Sequence, residues 1–208
     1  MKKKNLKKLL LAVCCAALLV CVSIGATVAY LTSAEKVVNT FTVGKVAITL
    51  DEAKVDTNGT PVEDAARVKT NEYKLLPGHT YTKDPTVHVA TDSEACYVFV
   101  KVANGISAIE TTDSAKKITA QITAKGWNTL ANENGVYYKE WKPSDATNNL
   151  VVFDEFTISG DKTATELEAL KNAKIEITAY AIQKDGFTTA ADAWAQVKDV
   201  TVAEPANP

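Results

Sequence analysis

Apolar and polar residues alternate with a period of two along most of the chain beyond residue 40, the pattern of β-strands with one buried face. The clearest run covers residues 96–102, and because both of its faces are largely apolar it predicts a central strand. Residues 46–50 predict an earlier strand. A bulge at residues 44–45 would bring the apolar side chains of residues 41–43 onto the same side of that strand.

The same pattern predicts further strands and the turns between them. Strands are expected at residues 73–76, 150–158 and 175–182, with a hairpin over residues 127–141. Turns are expected at Asn58-Gly59, Pro77-Gly78 and Asn134-Gly135. The polar stretch at residues 51–71 is expected to be a surface loop or a weak hairpin.

Two short helices are expected late in the chain. Residues 165–168 have the spacing of a capping box, which predicts a helix to about residue 172. Residues 189–197 predict a second helix, with Trp194 packing inward. Residues 114–126 fit either a short helix or a strand. Many short strands, no βαβ rhythm and two late helices predict a mainly β fold, an antiparallel β-sandwich of the jelly-roll kind.

The first thirty residues have the composition of an export signal. Lysines within residues 2–8 precede an uncharged apolar run at residues 9–22, and small residues follow. Small side chains at the last and third-last positions place the expected cleavage between Ala29 and Tyr30. An uncleaved membrane anchor over residues 9–31 is the alternative, because roughly 20 apolar residues span a bilayer. The expected product is secreted or displayed at the cell surface, and it meets the membrane only through this signal helix before signal peptidase acts.

The whole chain is expected to have four parts, the first of which is removed by cleavage. They are a signal peptide at residues 1–29, an N-terminal segment at residues 30–44, one β-sandwich domain at residues 45–203 and a frayed polar tail at residues 204–208. The 179 residues after the cut are enough for one well-buried domain but few for two.

Charge and cysteine content narrow the functional classes. Loss of the signal lysines changes the formal net charge from −2 to −7, which argues against nucleic acid or an anionic membrane surface as a partner of the folded part. Cys96 is the one cysteine that remains, so the mature chain has no intramolecular disulfide. Its place in an apolar alternating run is typical of a small buried hydrophobe.

Several short blocks occur along the chain in an order that is characteristic of one family. The blocks are residues 29–32 and 39–46, then Leu76-Pro77-Gly78 with Lys83, Pro85 and Val87, then residues 95–102, and finally residues 179–187 with Trp194. In these blocks the chain resembles the TasA/camelysin family, secreted proteins whose signal peptides are cut by a dedicated signal peptidase. The resemblance is most specific in the signal region.

The resemblance implies a jelly-roll subunit that assembles into extracellular fibres of a bacterial biofilm matrix, with the N-terminal strand of one subunit completing a sheet of its neighbour. Residues 31–43 suit such a donor strand because they contain no Gly or Pro and cleavage frees their start. The side chains expected to act in polymerisation are Tyr30, Leu31, Val37, Val38, Phe41 and Val43. The alternative is a first strand of the same subunit; residues 30–38 favour the donor role and residues 41–50 the intramolecular one.

The chain shows no pattern that predicts catalysis, a metal site or a cofactor. His79 and His88 are nine residues apart and lack the one-turn spacing of a zinc peptidase. The protein is therefore expected not to be an enzyme, and a metal-dependent peptidase is the third hypothesis. The second is a monomeric surface binding or adhesion module, in which a site would be lined by Tyr137, Tyr138, Trp141 or Trp194.

Overall fold

A computed structural model describes Cys14 and residues 43–202. They form a mainly β structure with antiparallel sheets and few helices, consistent with a β-sandwich. Apart from Cys14, the predicted signal peptide lies outside the described residues, as do the cleavage site, residues 30–42 of the N-terminal segment and the chain beyond residue 202. Within the part that is described, no helix combines the length and the hydrophobicity needed to cross a bilayer.

Nine strands and three helices make up the described domain. The strands are β1 (Ile48–Asp51), β2 (Thr80–Thr82), β3 (Thr86–Val89), β4 (Cys96–Asn104), β5 (Asn128–Thr129), β6 (Val136–Trp141), β7 (Asn149–Val151), β8 (Glu155–Thr157) and β9 (Ile175–Gln183). The helices are α1 (Ile118–Ala124), α2 (Ala164–Ala169) and α3 (Ala190–Val197), and a 3₁₀ turn covers Ser114–Lys116.

The strands form three sheets in which every pair is antiparallel. One sheet has the order β1-β3-β7, a second has the order β5-β6-β4-β9, and β2 pairs with β8. Strand β4 is central in the larger sheet, because β6 pairs with one of its edges and β9 with the other. The prediction of a central strand at residues 96–102 is confirmed.

Strand β4 separates two apolar clusters. Cys96, Val98 and Val100 point into the main core, while Tyr97 and Phe99 point to the opposite face. On that second face α3 covers the sheet and contributes a buried tryptophan at position 194, as its sequence pattern predicts. Because both faces of β4 are covered, its successive side chains from 96 to 100 are all buried.

Two predicted strands are wrong. Residues 150–158 divide into β7 and β8, which belong to different sheets, because Val152 and Phe153 enter the main core between them. Residues 73–76 are not a strand, since the Tyr81 hydroxyl accepts a hydrogen bond from the Leu76 N–H (2.7 Å) and donates one to the Lys74 carbonyl (2.6 Å). A buried side chain thus satisfies backbone groups that a strand partner would otherwise bind.

The bulge expected at residues 44–45 is also wrong, because β1 begins only at Ile48. The Ala47 N–H donates to the Ser93 hydroxyl at 3.2 Å rather than to a strand partner. The three predicted turns are present, with Gly59, Gly78 and Gly135 at φ values of 77°, 72° and 73°. These left-handed conformations suit glycine.

The helix predicted from a capping box at residues 165–168 begins two residues earlier. Thr163 is the N-cap of α2, its hydroxyl accepts from the Glu166 N–H, and the Glu166 carboxylate accepts from the Thr163 N–H. The helix ends at Ala169, short of residue 172. The second predicted helix is confirmed as α3, which Thr189 caps in the same way. Residues 114–126, which fit two structures, contain the 3₁₀ turn and α1.

Candidate functional site

Strand β9 is a nine-residue edge strand that pairs only with β4 among the described residues. In an antiparallel ladder, alternate residues direct both backbone groups to one side. The hydrogen bonds from Lys184 N–H to Ala95 O (2.8 Å) and from Gly105 N–H to Lys174 O (2.9 Å) show that the even-numbered residues face β4. The N–H and C=O groups of the odd-numbered residues, from Ile175 to Gln183, therefore point to the outer edge.

The odd-numbered side chains of β9 continue the main core to this edge without completing it. Ile175, Ile177, Ala179 and Ala181 pack against the main core, yet all four remain only half-buried. No other described residue hydrogen-bonds the outward backbone groups of the strand. We call these four residues, with their outward backbone groups, the β9 edge.

Strand β1 lies on the same side of the molecule, with Cα atoms within 8 Å of β9 but no backbone ladder between the two strands. Its Ile48 and Leu50 are half-buried against the main core. The end of β1 is covered by the following loop, because Glu52 and Val68 exchange two backbone hydrogen bonds of 2.8 Å. The β9 edge is thus the longer of the two free edges on this side.

Strand β7, at the other edge of the three-stranded sheet, has most of its outward backbone groups bound by side chains. The Asn149 N–H donates to the Thr147 hydroxyl (3.0 Å), and the Val151 carbonyl accepts from the Trp127 indole N–H (2.8 Å). Further along, the Gln121 side chain accepts from two backbone N–H groups at residues 154–155 and donates to the Glu155 carbonyl. This edge leaves little free for another strand.

The polar loop at residues 51–71 is fixed by charged side chains. Arg67 binds Asp51 and, at 2.8 Å, Asp84. Burial opposes ionisation of Asp51, but hydrogen bonds from Arg67 and His88 outweigh it and lower the pKa of the Asp51 carboxyl. Next to Asp51 in sequence, Glu52 forms a buried ion pair with Lys83. Antiparallel bridges join Glu52 to Val68 and Val55 to Pro61, which agrees with the weak hairpin expected for this stretch.

Of the residues predicted to act in polymerisation, only Val43 lies in the described part. Its 98% exposure means that it makes no contact with the core of its own domain. The other members of that set are Tyr30, Leu31, Val37, Val38 and Phe41, and with the cleavage residue Ala29 they lie outside the described residues.

The two histidines occupy separate polar environments. His88 contacts Asp51 (2.9 Å) and Asn149 (2.7 Å), whereas His79 hydrogen-bonds the Asn58 carbonyl (2.8 Å). Across residues 43–202 no group of three or more His, Cys, Asp and Glu side chains is placed to hold a metal ion.

The aromatic side chains considered for a surface binding site are mostly in the interior. Tyr137, Trp141 and Trp194 are at most 8% exposed, and only Tyr138 is half-buried. The Trp194 ring lies 5.3 Å from Phe99, and its indole N–H has no hydrogen-bond partner among the described residues. These residues therefore contribute mainly to the core, although Tyr137 also lines an open surface depression with residues 129–135.

Cys96 is fully buried, as its sequence context predicts. Burial raises the pKa of its thiol to about 11. A protonated, inaccessible thiol is a poor nucleophile.

Comparison of the chain with protein-family models finds no match, and a search of curated proteins finds none either.

Sequence reasoning located β9 but did not identify it as an edge. The alternation at residues 175–182 predicts a strand, yet edge position depends on which strands pair, and that is a property of the whole fold. The one local signal was the step from two isoleucines to Ala179 and Ala181, since small residues are a weak way to cover a core.

Proposed function

We propose that the mature chain is a secreted structural subunit that polymerises into extracellular biofilm-matrix or surface fibres. In this proposal, the N-terminal segment freed by signal cleavage leaves its own subunit and adds as a strand to the β9 edge of the next. In this role the protein forms backbone hydrogen bonds between subunits and carries out no catalytic step. Its main partner is another copy of itself.

The observation that carries the proposal is the incomplete β9 edge. An edge strand of nine residues offers outward N–H and C=O groups that a further strand can pair, and each such hydrogen bond contributes about 1 kcal/mol net. Natural edge strands are commonly protected by charge, proline or a covering element. The residues of β9 between 175 and 181 whose backbone groups point outward have apolar side chains, and none is proline.

The expected donor fits this edge in length. Residues 30–38 are nine in number, the same as Ile175–Gln183. The exposure of Val43 is consistent with a chain that leaves its domain at that point. Contact between a donor segment on one copy and a different surface on the next is heterologous, and such contacts generate open filaments.

The fold and the resemblance point in the same direction. Antiparallel sheets consistent with a β-sandwich support a jelly-roll subunit of the TasA/camelysin kind, for which export and fibre formation are implied. The binding-module alternative has less support, because three of its four aromatic residues are buried.

Electron microscopy of two purified proteins tests the proposal. Protein beginning at Tyr30 should form filaments, and protein beginning at Asn39 should remain monomeric with the same circular dichroism spectrum. Adding a synthetic peptide of residues 30–38 to the truncated protein should give capped monomers and no filaments. Filaments of equal number and growth rate from both proteins would refute strand donation.

A further inference from the structure

The apolar side chains at the β9 edge change size along the strand. Ile175 and Ile177 occupy its N-terminal half, and Ala179 and Ala181 occupy its C-terminal half. All four face the main core and all are half-buried. Because an alanine side chain ends at its β-carbon, the second half of the strand covers less of the core than the first half.

The core residues beside Ala179 and Ala181 are fully buried. Ala179 pairs with Val100 and Ala181 pairs with Val98, and both valines are 0% exposed. The two alanines are thus the last side chains between buried valines and the outer edge. A strand added beyond β9 would place its own side chains beside these alanines, since directly opposed side chains on adjacent strands are about 5 Å apart.

Two apolar residues near the ends of the donor segment have the same spacing as the end residues of the apolar row formed by Ile175, Ile177, Ala179 and Ala181, while Ser33 and Glu35 fall between them. Leu31 and Val37 are six residues apart, as are Ala181 and Ile175. Every ladder in the described structure is antiparallel. If the donor also adds in the antiparallel direction, pairing Leu31 with Ala181 brings Val37 beside Ile175. A shift of two residues in one direction places Leu31 beside Gln183, and a shift in the other direction places Val37 beside Ala173, before the start of β9.

We propose that the small side chain of Ala181 leaves space for Leu31 of the incoming subunit, and that this contact fixes the register of the added strand. This inference rests on the proposed strand addition and specifies it further. Its occupant is the residue 30–38 segment of a second copy, with the largest aliphatic side chain of that segment placed where β9 carries one of its smallest.

Exchange of the two side-chain sizes tests this register. In protein beginning at Tyr30, Ala181→Leu should slow filament growth by about tenfold or more, because the larger side chain fills the space for Leu31 and overpacks the contact. Leu31→Ala should slow growth to a smaller extent. The double variant should grow to within about threefold of the original protein. Growth is followed by light scattering and electron microscopy.

Matched controls separate this inference from the proposed function. Thr178→Leu adds bulk to the same strand on its other face and should grow normally. Thermal unfolding checks the fold of each variant, and Ala181→Val is the milder replacement if the leucine variant does not fold. Ala179→Pro removes an outward N–H and should stop growth. Normal growth of Ala181→Leu, or no rescue in the double variant, would overturn the Leu31 register; normal growth of Ala179→Pro would overturn strand addition itself.

Discussion

Strands β7 and β9 are both sheet edges, but their outward backbone groups are treated in opposite ways. At β7, which has three residues, the Asn149 N–H and the Val151 carbonyl bind side chains from Thr147 and Trp127. At β9, which has nine residues, the outward groups bind no other described residue, and the core-facing side chains of the strand itself are only half-buried.

Within residues 43–202, this difference shows that side chains of the chain itself can close an edge of this fold. The same chain uses two side chains to close one edge, so it has the chemical means to close the other. An unprotected edge invites pairing with another strand. Under the proposed function, we infer that closure of β7 removes one competing edge and leaves β9 as the longest edge for strand addition.

A pair of proline variants provides the strongest test of this comparison. The Thr178 N–H faces β4, opposite Lys101, whereas the Ala179 N–H faces outward. Ala179→Pro should fold and form no filaments. Thr178→Pro should lose a ladder bond and lower the free energy of unfolding by at least about 2 kcal/mol. Thermal unfolding and electron microscopy measure the two effects. Equal destabilisation by both prolines would mean that β9 is not an edge.

Breaking the buried ion pair should cost stability without affecting the β9 edge. Lys83→Met leaves the Glu52 carboxylate buried without its partner, which should lower the free energy of unfolding by about 3–5 kcal/mol. The double variant with Glu52→Gln should recover part of this loss. Chemical denaturation measures stability, and filament growth below the melting temperature should persist. Loss of growth in a folded Lys83→Met protein would extend the assembly site to the loop at residues 51–71.

A tryptophan variant tests whether the β7 edge is closed by its side-chain hydrogen bond. Trp127→Phe removes the indole donor and leaves the Val151 carbonyl unpaired, which should lower the free energy of unfolding by roughly 1–3 kcal/mol. Filaments should form with unchanged width. Lateral association or branching of the variant filaments would show that this hydrogen bond prevents pairing at β7; it would sharpen the comparison, whereas loss of filaments would contradict it.

The smallest effect is expected from the core that both edges share. Burial raises the pKa of the Cys96 thiol to about 11, above its value in the unfolded chain. A raised pKa in the folded state stabilises the fold fully below the unfolded pKa, and this contribution is lost as the pH rises toward 11. The free energy of unfolding should therefore fall between about pH 9 and pH 11. Denaturation of wild type and Cys96→Ala across this range should give a shallower dependence in the variant.

Local patterns were sufficient to predict the parts of the fold that depend on local physics. The central strand, the glycine turns and α3 each follow from alternation, left-handed backbone geometry or capping. Residues 73–76 were mispredicted because the side-chain hydroxyl of Tyr81 satisfies their backbone, a contact that alternation of apolar and polar residues does not reveal. The β9 edge was missed for a related reason, since openness depends on strands that do not pair.

Hydrogen exchange of the β9 amides in monomers and filaments tests the central claim most directly. The odd-numbered amides at Ile177, Ala179 and Ala181 should exchange rapidly in the monomer and become protected in the filament. The even-numbered amides at Thr178 and Tyr180, already bound to β4, should be protected in both states. Filaments in which the odd-numbered amides still exchange at the monomer rate would contradict strand addition at β9.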